Sequence, residues 1–312
     1  MIPSSDQRAA SAIDVSSRPG EYASMKVGFI GLGAMGYPMA LNLHRAKLLT
    51  AVFNRTGAKA EALAQETGCV AAQDISALAG LCDAVVICVA ADQDVLQVID
   101  ALAATLKPGS LVIDCSTVSA ATAREAAARL SKRKIDFVDC PVSGGTEGAK
   151  HAMLAIMCGG KEKPFQRAQP ILKALGKRIV LMGPVGAGQA TKAVNQIAVA
   201  GIAQAVTEAL AFAEAEGLPL DKVIDVVGSG AAGSWFMAHR GPTMREGRYP
   251  LGFKVSLHDK DLGIVQQMAV AHGVQLPVVE MTRVHYRRLM QDGHGDEDIS
   301  ALFRLKRQLF GH

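Results

Sequence analysis

The sequence predicts an α/β fold of the Rossmann type: a doubly wound, mostly parallel sheet, then an all-α C-terminal domain joined to it by a long interdomain helix. Three observations predict it. From Lys26 to about Met182 short apolar runs alternate with helical stretches, as strands with crossover helices on both faces require. The first run breaks at Gly31, Gly33 and Gly36, spaced G-x-G-x-x-G, before a helix-periodic segment begins. After Gly183 the alternation stops, and apolar residues recur at helical spacing to the end of the chain.

Taken in order, residues 1–24 show neither helical nor strand periodicity and read as a disordered leader, or as chain upstream of an effective start at Met25. They lack the apolar stretch of a secretory signal, and Asp6, Asp14 and Glu21 are unlike an acid-poor mitochondrial presequence. The runs at 27–30, 50–53, 84–89, 111–114, 135–138, 154–158 and 179–181 read as strands of a dinucleotide-binding domain spanning 25–188. Residues 189–216 read as one helix of about seven turns. It opens an all-helical substrate and oligomerisation domain, 189–312, with breaks at glycine- and proline-containing segments.

In a strand, glycine turn and helix of this spacing, Gly31 permits the tight turn, Gly33 lets the backbone approach a pyrophosphate, and Gly36 lets helix pack on strand. The loop of Gly31, Leu32, Gly33, Ala34, Met35 and Gly36 would present backbone N–H groups to the phosphates. Val89 and Ala90, at the end of the 84–89 run, are expected to line the same cofactor.

Composition narrows the partners. A net charge of +4 is spread without a block of five like charges, which gives nucleic acid or an anionic membrane little to hold. Every apolar run is cut by charge, Gly or Pro before the eighteen or so residues of a membrane span, so no membrane partner is expected. Six cysteines without a C-x-x-C pair mostly sit in or beside strand-like runs, which suits a reducing, cytoplasmic setting.

Four further stretches carry chemistry. Asn54-Arg55-Thr56 follows the second strand, where an NAD site places an acid; an Arg with amide and hydroxyl neighbours suits a 2′-phosphate, favouring NADP with NAD possible. Alternatively, Arg55 only caps a surface turn. Asp114-Cys-Ser-Thr-Val-Ser119 lies at a strand's carboxyl end, so Ser116 and Thr117 would face the cleft unless the stretch is an N-cap cluster for the next helix. In Asp139-Cys-Pro-Val-Ser-Gly-Gly-Thr146, Ser143, Gly144 and Gly145 either expose N–H groups to a carboxylate or make a plain Pro/Gly turn. Lys192 and Asn195, three apart in the long helix, share one face, which is either solvated or turned to the domain junction.

Taken together, G-L-G-x-M-G-x-x-M, N-R-T, D-C-S-T, P-V-S-G-G-T-E-G-A, G-x-G-x-x-x-K-x-x-N and Lys260-Asp261-Leu262 resemble the β-hydroxyacid dehydrogenase family in order and spacing from Met25 onward. That family includes 3-hydroxyisobutyrate dehydrogenase, tartronate semialdehyde reductase and glyoxylate/succinic semialdehyde reductase. The resemblance implies that Gly31, Gly33 and Gly36 match the pyrophosphate loop and Asn54, Arg55 and Thr56 the adenosine ribose end. It implies that Thr117 lies near the nicotinamide, that the 143–145 loop holds a substrate carboxylate, and that Lys260 lies close to cofactor and active site. Lys192 matches the catalytic lysine and Asn195 its partner. Where the family usually has x-x-G-T-L, this chain has Lys150-His-Ala-Met-Leu154, so Ala152 and Met153 replace Gly and Thr beside the substrate loop.

The expected reaction is hydride transfer between a nicotinamide and a small hydroxyacid or semialdehyde, with Lys192 as general acid/base and Asn195 orienting it. A lysine titrating near 10.4 in water needs burial or a neighbouring cation, for which Lys260 is the candidate. An imine reductase and a non-catalytic NADP-binding module are the alternatives, and Lys192 argues against both. No metal is expected: His258, Asp259 and Asp261 sit on adjacent helical positions that point apart. Trp235, His239 and Arg240 follow the glycine-rich break and are candidates for the far wall of the pocket, although Trp235 could equally be core. An Ala-rich face on the long helix suggests a homodimer or homotetramer, although packing within the chain explains the same face.

Overall fold

A computed structural model describes residues 25–311, and the leader expected over 1–24 lies outside the described residues. Strand β1 (Val27–Ile30) is buried along its whole length, as an apolar run covered by helices on both faces must be. On one side it pairs in parallel with β2 (Leu49–Phe53), which pairs with β3 (Val70–Ala71). On the other lies β4 (Ala84–Ile87), followed in parallel by β5 (Leu111–Asp114) and β6 (Asp136–Asp139). The order β3-β2-β1-β4-β5-β6 reverses its winding between β1 and β4. Ligands in such sheets bind outside the carboxyl ends of the strands beside that reversal.

Past β6 the sheet changes direction. Strand β8 (Leu154–Gly159) runs antiparallel to β6 and to β7 (Val142–Ser143), and β9 (Gly176–Gly183) returns parallel to β8. Neither β3 nor β7 belongs to the sequence-predicted set, because two residues carry no readable period. The 84–89 run ends as a strand at Ile87, so Cys88 and Val89 belong to the loop beyond it.

Helices α1 (Gly36–Arg45), α2 (Gly57–Thr67), α3 (Ile75–Leu81), α4 (Asp92–Thr105), α5 (Ala120–Ser131), α6 (Gly145–Lys150) and α7 (Glu162–Lys173) belong to the sheet domain. Its two faces carry separate apolar layers: Phe29 with Leu43 and Ile113 on one, Ile30 with Val85 and Ile99 on the other. Successive β1 side chains thus feed opposite layers.

Helix α8 (Ala187–Ala215) then runs for 29 residues, roughly 43 Å, from the sheet into the second domain. Around it pack α9 (Leu220–Gly228), α10 (Trp235–Arg245), α11 (Val255–Val270), α12 (Pro277–Gln291), a 3-10 turn (Ile299–Ala301) and α13 (Leu302–Gln308). Leu210, Leu262, Tyr286 and Phe303 form the centre of that third core. By length and composition alone α8 could cross a membrane, since one 18-residue window has a mean hydropathy of 1.4. This differs from the expectation drawn from uninterrupted runs, because a window average absorbs Gly201 and the polar residues. In the fold half of that window is buried, and α8 also buries the polar Lys192, Gln196, Gln204 and Thr207, of which Lys192 reaches the Val142 carbonyl of the sheet domain while Gln196 and Gln204 meet α11 and α12.

Candidate active site

The glycine turn divides its labour. Gly31 has φ +98° and donates its N–H to the Phe53 carbonyl at 3.0 Å. A Cβ on Gly31 would stand 2.2 Å from the Cys88 carbonyl oxygen, and one on Gly36 1.8 Å from that of Gly31, so neither position admits a side chain. Nothing lies within 4 Å of a Cβ on Gly33. Two glycines close the turn and the third leaves open backbone at the start of α1, whose first turn has no side-chain cap. That arrangement fits a pyrophosphate.

At the end of β2 the roles separate. Asn54, expected at the ribose, instead accepts the Leu32 N–H at 2.8 Å and donates to the Thr56 carbonyl at 3.0 Å. One end of its amide holds the glycine turn and the other the loop that enters α2. Arg55 is the cation left there, its side chain 88% exposed and 3.3 Å from Asp94, a solvent-screened pair. Thr56 starts α2 without capping it through its hydroxyl. Met35 is half-buried, Ala34 and Ala90 exposed.

The D-C-S-T stretch also departs from expectation. Ser116, expected to touch substrate, is 2% exposed; its hydroxyl accepts the Val89 N–H at 2.9 Å and its carbonyl accepts from Gln189 Nε2 at 2.8 Å. It stitches the ends of β4 and β5 to α8. Ser119 takes the N-cap of α5, accepting from Thr122 N at 3.0 Å, so capping makes no demand on Thr117. Thr117 is half-buried, and its carbonyl receives Lys260 Nζ at 2.8 Å. Beneath them lies Asp114, fully buried, with Oδ1 accepting the Ser116 N–H and Oδ2 without a partner. Burial pushes its carboxyl up to about 7.

Helix α8 is aimed by Asp139 at the end of β6. Its carboxylate accepts from Gly186 N at 2.8 Å and Gln189 N at 3.0 Å, a negative charge on the positive end of the helix. So fixed, α8 carries Lys192 into the junction, 8% exposed, with Nζ donating to the Val142 carbonyl at 2.9 Å. Asn195, expected to orient the lysine, does not touch it among the hydrogen bonds of the site. It accepts from Ser143 Oγ at 3.3 Å and donates to Gln196 Oε1 at 2.7 Å. The β7 backbone orients Lys192, and Asn195 orients Ser143. Next in the loop, Gly144 and Gly145 have φ of +133° and +61°.

Burial pushes the Lys192 ammonium down to about 8, with Asp261 opposing and Lys260 adding to the shift. Desolvation therefore outweighs the neighbouring cation. Asp261 pairs with Lys260 at 2.7 Å and accepts from Gln196 Nε2 at 2.6 Å. A chain of contacts thus runs from the Thr117 carbonyl through Lys260, Asp261, Gln196 and Asn195 to Ser143. Asp139, Gln189 and Gln196 were not singled out from sequence, and Asp261 only as a candidate metal ligand; Asp139 and Asp261 stand inside the quoted motifs, but nothing in their spacing says which side chains they meet. His258 meets Tyr286 Oη and the Gln196 carbonyl, Asp261 meets Lys260 and the Gln196 amide on the same face of α11, and Asp259 turns away to Arg283. Burial holds His258 down at about 4, hence neutral.

Known proteins match along the whole arrangement. The family model for the NAD binding domain of 6-phosphogluconate dehydrogenase matches residues 26–183, and that described as NAD-binding of NADP-dependent 3-hydroxyisobutyrate dehydrogenase matches residues 186–306. The chain is 35% identical to 2-hydroxy-3-oxopropionate reductase of Escherichia coli over 92% of this chain and 99% of that one. It is 32% identical to 2-(hydroxymethyl)glutarate dehydrogenase of Eubacterium barkeri over 92% and 97%. The solved 3-hydroxyisobutyrate dehydrogenase of Mycobacterium tuberculosis with L-serine is 31% identical, covers 91% of this chain and 99% of its own, and superposes with a TM-score of 0.83. With both domains matched and these relatives covered almost end to end, the chain belongs to the β-hydroxyacid dehydrogenase family of nicotinamide-dependent oxidoreductases.

Proposed function

We propose that the protein interconverts a small β-hydroxyacid, of the 3-hydroxyisobutyrate or 2-hydroxy-3-oxopropionate class, and its semialdehyde, with NADP preferred and Lys192 as general acid/base. The observation that carries this reading is Lys192 itself. A buried ammonium held by the Val142 carbonyl, one residue before Ser143, with a pKa brought to about 8, can both give and take a proton near neutral pH. When bound, the nicotinamide supplies or accepts the hydride. Lys192 protonates the carbonyl oxygen in reduction and takes the hydroxyl proton in oxidation. Ser143, set by Asn195, and the N–H groups of Gly144 and Gly145 hold the substrate carboxylate. Lys260, anchored on the Thr117 carbonyl, borders the nicotinamide end.

The preference for NADP rests on Arg55, a guanidinium at the end of β2 whose partner Asp94 is only partly buried and displaceable by a 2′-phosphate. The same proposal includes a homodimer or homotetramer. Val194, Ala198, Ile202, Ala205, Ala209 and Phe212 form an exposed apolar stripe along α8, which a second copy would cover. The test is oxidation of NADPH and NADH against a panel of small semialdehydes. Turnover with NADPH preferred supports the reading; tight NADPH binding with no turnover across the panel would replace it with a cofactor-binding module.

A further inference from the structure

We infer that Arg240 forms a second carboxylate-recognising position in the same site, so that the preferred substrate is a dicarboxylate carrying one acid at the 143–145 loop and another at its far end. The inference rests on the hydroxyacid reading above. Arg240 lies on α10 against Gly252, where a Cβ would stand 1.9 Å from its Nη2, so any side chain at 252 would push the guanidinium out of its present position. The Gly252 carbonyl oxygen in turn lies 3.6 Å from the place of a Cβ on Gly145. One residue of the helical domain therefore separates the guanidinium from the substrate loop. Glu147, two residues further along α6, registers the same proximity: Lys150 chiefly holds its carboxyl below the usual range, and the Arg240 charge contributes.

The guanidinium is also built to receive something. Its Nε lies 3.2 Å from Asp298, whose carboxylate is 1% exposed and already accepts from Gly252 N, Phe253 N, Ser300 N and Ser300 Oγ. Asp298 holds Arg240 by an ion pair at Nε, and among the described residues no guanidinium nitrogen of Arg240 takes part in a hydrogen bond. Two parallel donors on a pinned guanidinium match a carboxylate bidentately. The side chain is 18% exposed, enough to be reached but largely desolvated. Trp235, 5.4 Å from the Arg240 guanidinium carbon and stacked on His239, flanks it and offers an apolar surface to a methylene arm. With its carboxylate at the loop and its hydroxyl at Lys192, a β-hydroxyacid has its C2 substituent left to face this wall.

The test compares two substrates differing only in that substituent: 3-hydroxyisobutyrate, with a methyl, and 2-(hydroxymethyl)glutarate, with a carboxyethyl arm. Kinetics with NADP+ are measured for the parent, Arg240→Met and Arg240→Lys, and melting temperatures with NADP+ plus unreactive glutarate or isobutyrate. The parent should favour the dicarboxylate by about tenfold or more in kcat/KM. Arg240→Met should erase that preference by raising KM for the dicarboxylate about tenfold more than it raises KM for 3-hydroxyisobutyrate. Arg240→Lys keeps the charge beside Asp298, should fold like the parent and should retain part of the preference. Glutarate, not isobutyrate, should raise the melting temperature of the parent and not of Arg240→Met. Equal losses for both substrates, or a parent that prefers 3-hydroxyisobutyrate, would overturn the inference. Should the parent oxidise neither, the hydroxyacid reading falls, and the glutarate shift alone decides for or against the Arg240 position.

Discussion

Lys192 reaches across 50 residues of chain to the Val142 carbonyl, 2.9 Å away, placing an ammonium in a buried junction where, among the described residues, one backbone oxygen is hydrogen-bonded to it. Such a group is costly to fold and useful to react with. Its pKa, the orientation of α8 and the stability of the unliganded protein are therefore coupled.

The first consequence is in stability. Lys192 titrates at about 8 in the fold against 10.5 unfolded, so below pH 8 both states are charged and the folded state bears the full cost of burial. Between about 8 and 10.5 only the unfolded state keeps the proton, and stability rises with pH. At pH 7 Lys192→Met should be more stable than the parent by about 2–3 kcal/mol, with the gap closing toward pH 10.5. Urea midpoints at pH 7 and 10 check it; a less stable Met variant at pH 7 would refute it.

Asp114 has the opposite sign. Its folded pKa of about 7 lies above the ordinary carboxyl value of 3.8, so between those values the folded state alone is protonated and stability falls as pH rises. Asp114→Asn, neutral throughout, should gain on the parent by about 1.4 kcal/mol per pH unit across that window and hold the gain above it. Thermal melts at pH 5 and 8 read the difference; an equal offset at both pH values would show that Asp114 does not titrate in the fold.

At the cofactor's adenosine end, Arg55→Asp should weaken NADPH by about 30- to 100-fold and spare NADH, by losing a charge-assisted contact and adding repulsion beside Asp94. Fluorescence titration with both cofactors measures it. Equal loss with each would make Arg55 structural.

Ala152 stands where the family usually has Gly, and its φ is +53°. A side chain in that left-handed region costs on the order of 1 kcal/mol, which glycine avoids. Ala152→Gly should therefore stabilise the protein by about 1 kcal/mol, or roughly 2–4 °C in Tm. A lowered Tm would mean that the Ala152 methyl contributes packing that offsets its backbone strain.

Much of this was legible in the sequence, and the part that was not has a common cause. The glycine turn, the buried β1, β4 and β5 and the long α8 follow from local period and spacing, which the chain displays within a few residues. Lys192 and Ser143 were found as motif residues, yet their partners were not, because Val142 lies 50 residues from Lys192 and Asp139 lies 47 from Gly186. The partners of Asn195 and Ser116, Ser143 with Gln196 and Val89 with Gln189, were hidden for the same reason: a polar residue near a site can face substrate or brace a wall, and sequence spacing does not show which neighbours it meets. Strand β7 left no period to read, although it is the strand on which the lysine rests.

The central claim is that Lys192 moves the proton, and the most direct measurement is the initial rate of Lys192→Ala with the best semialdehyde of the panel, at saturating NADPH and with NADPH affinity measured alongside. The lysine lies apart from the glycine turn, so cofactor affinity should persist while turnover falls by about 10²–10⁴. Turnover near the parent rate, with NADPH still bound, would contradict the account.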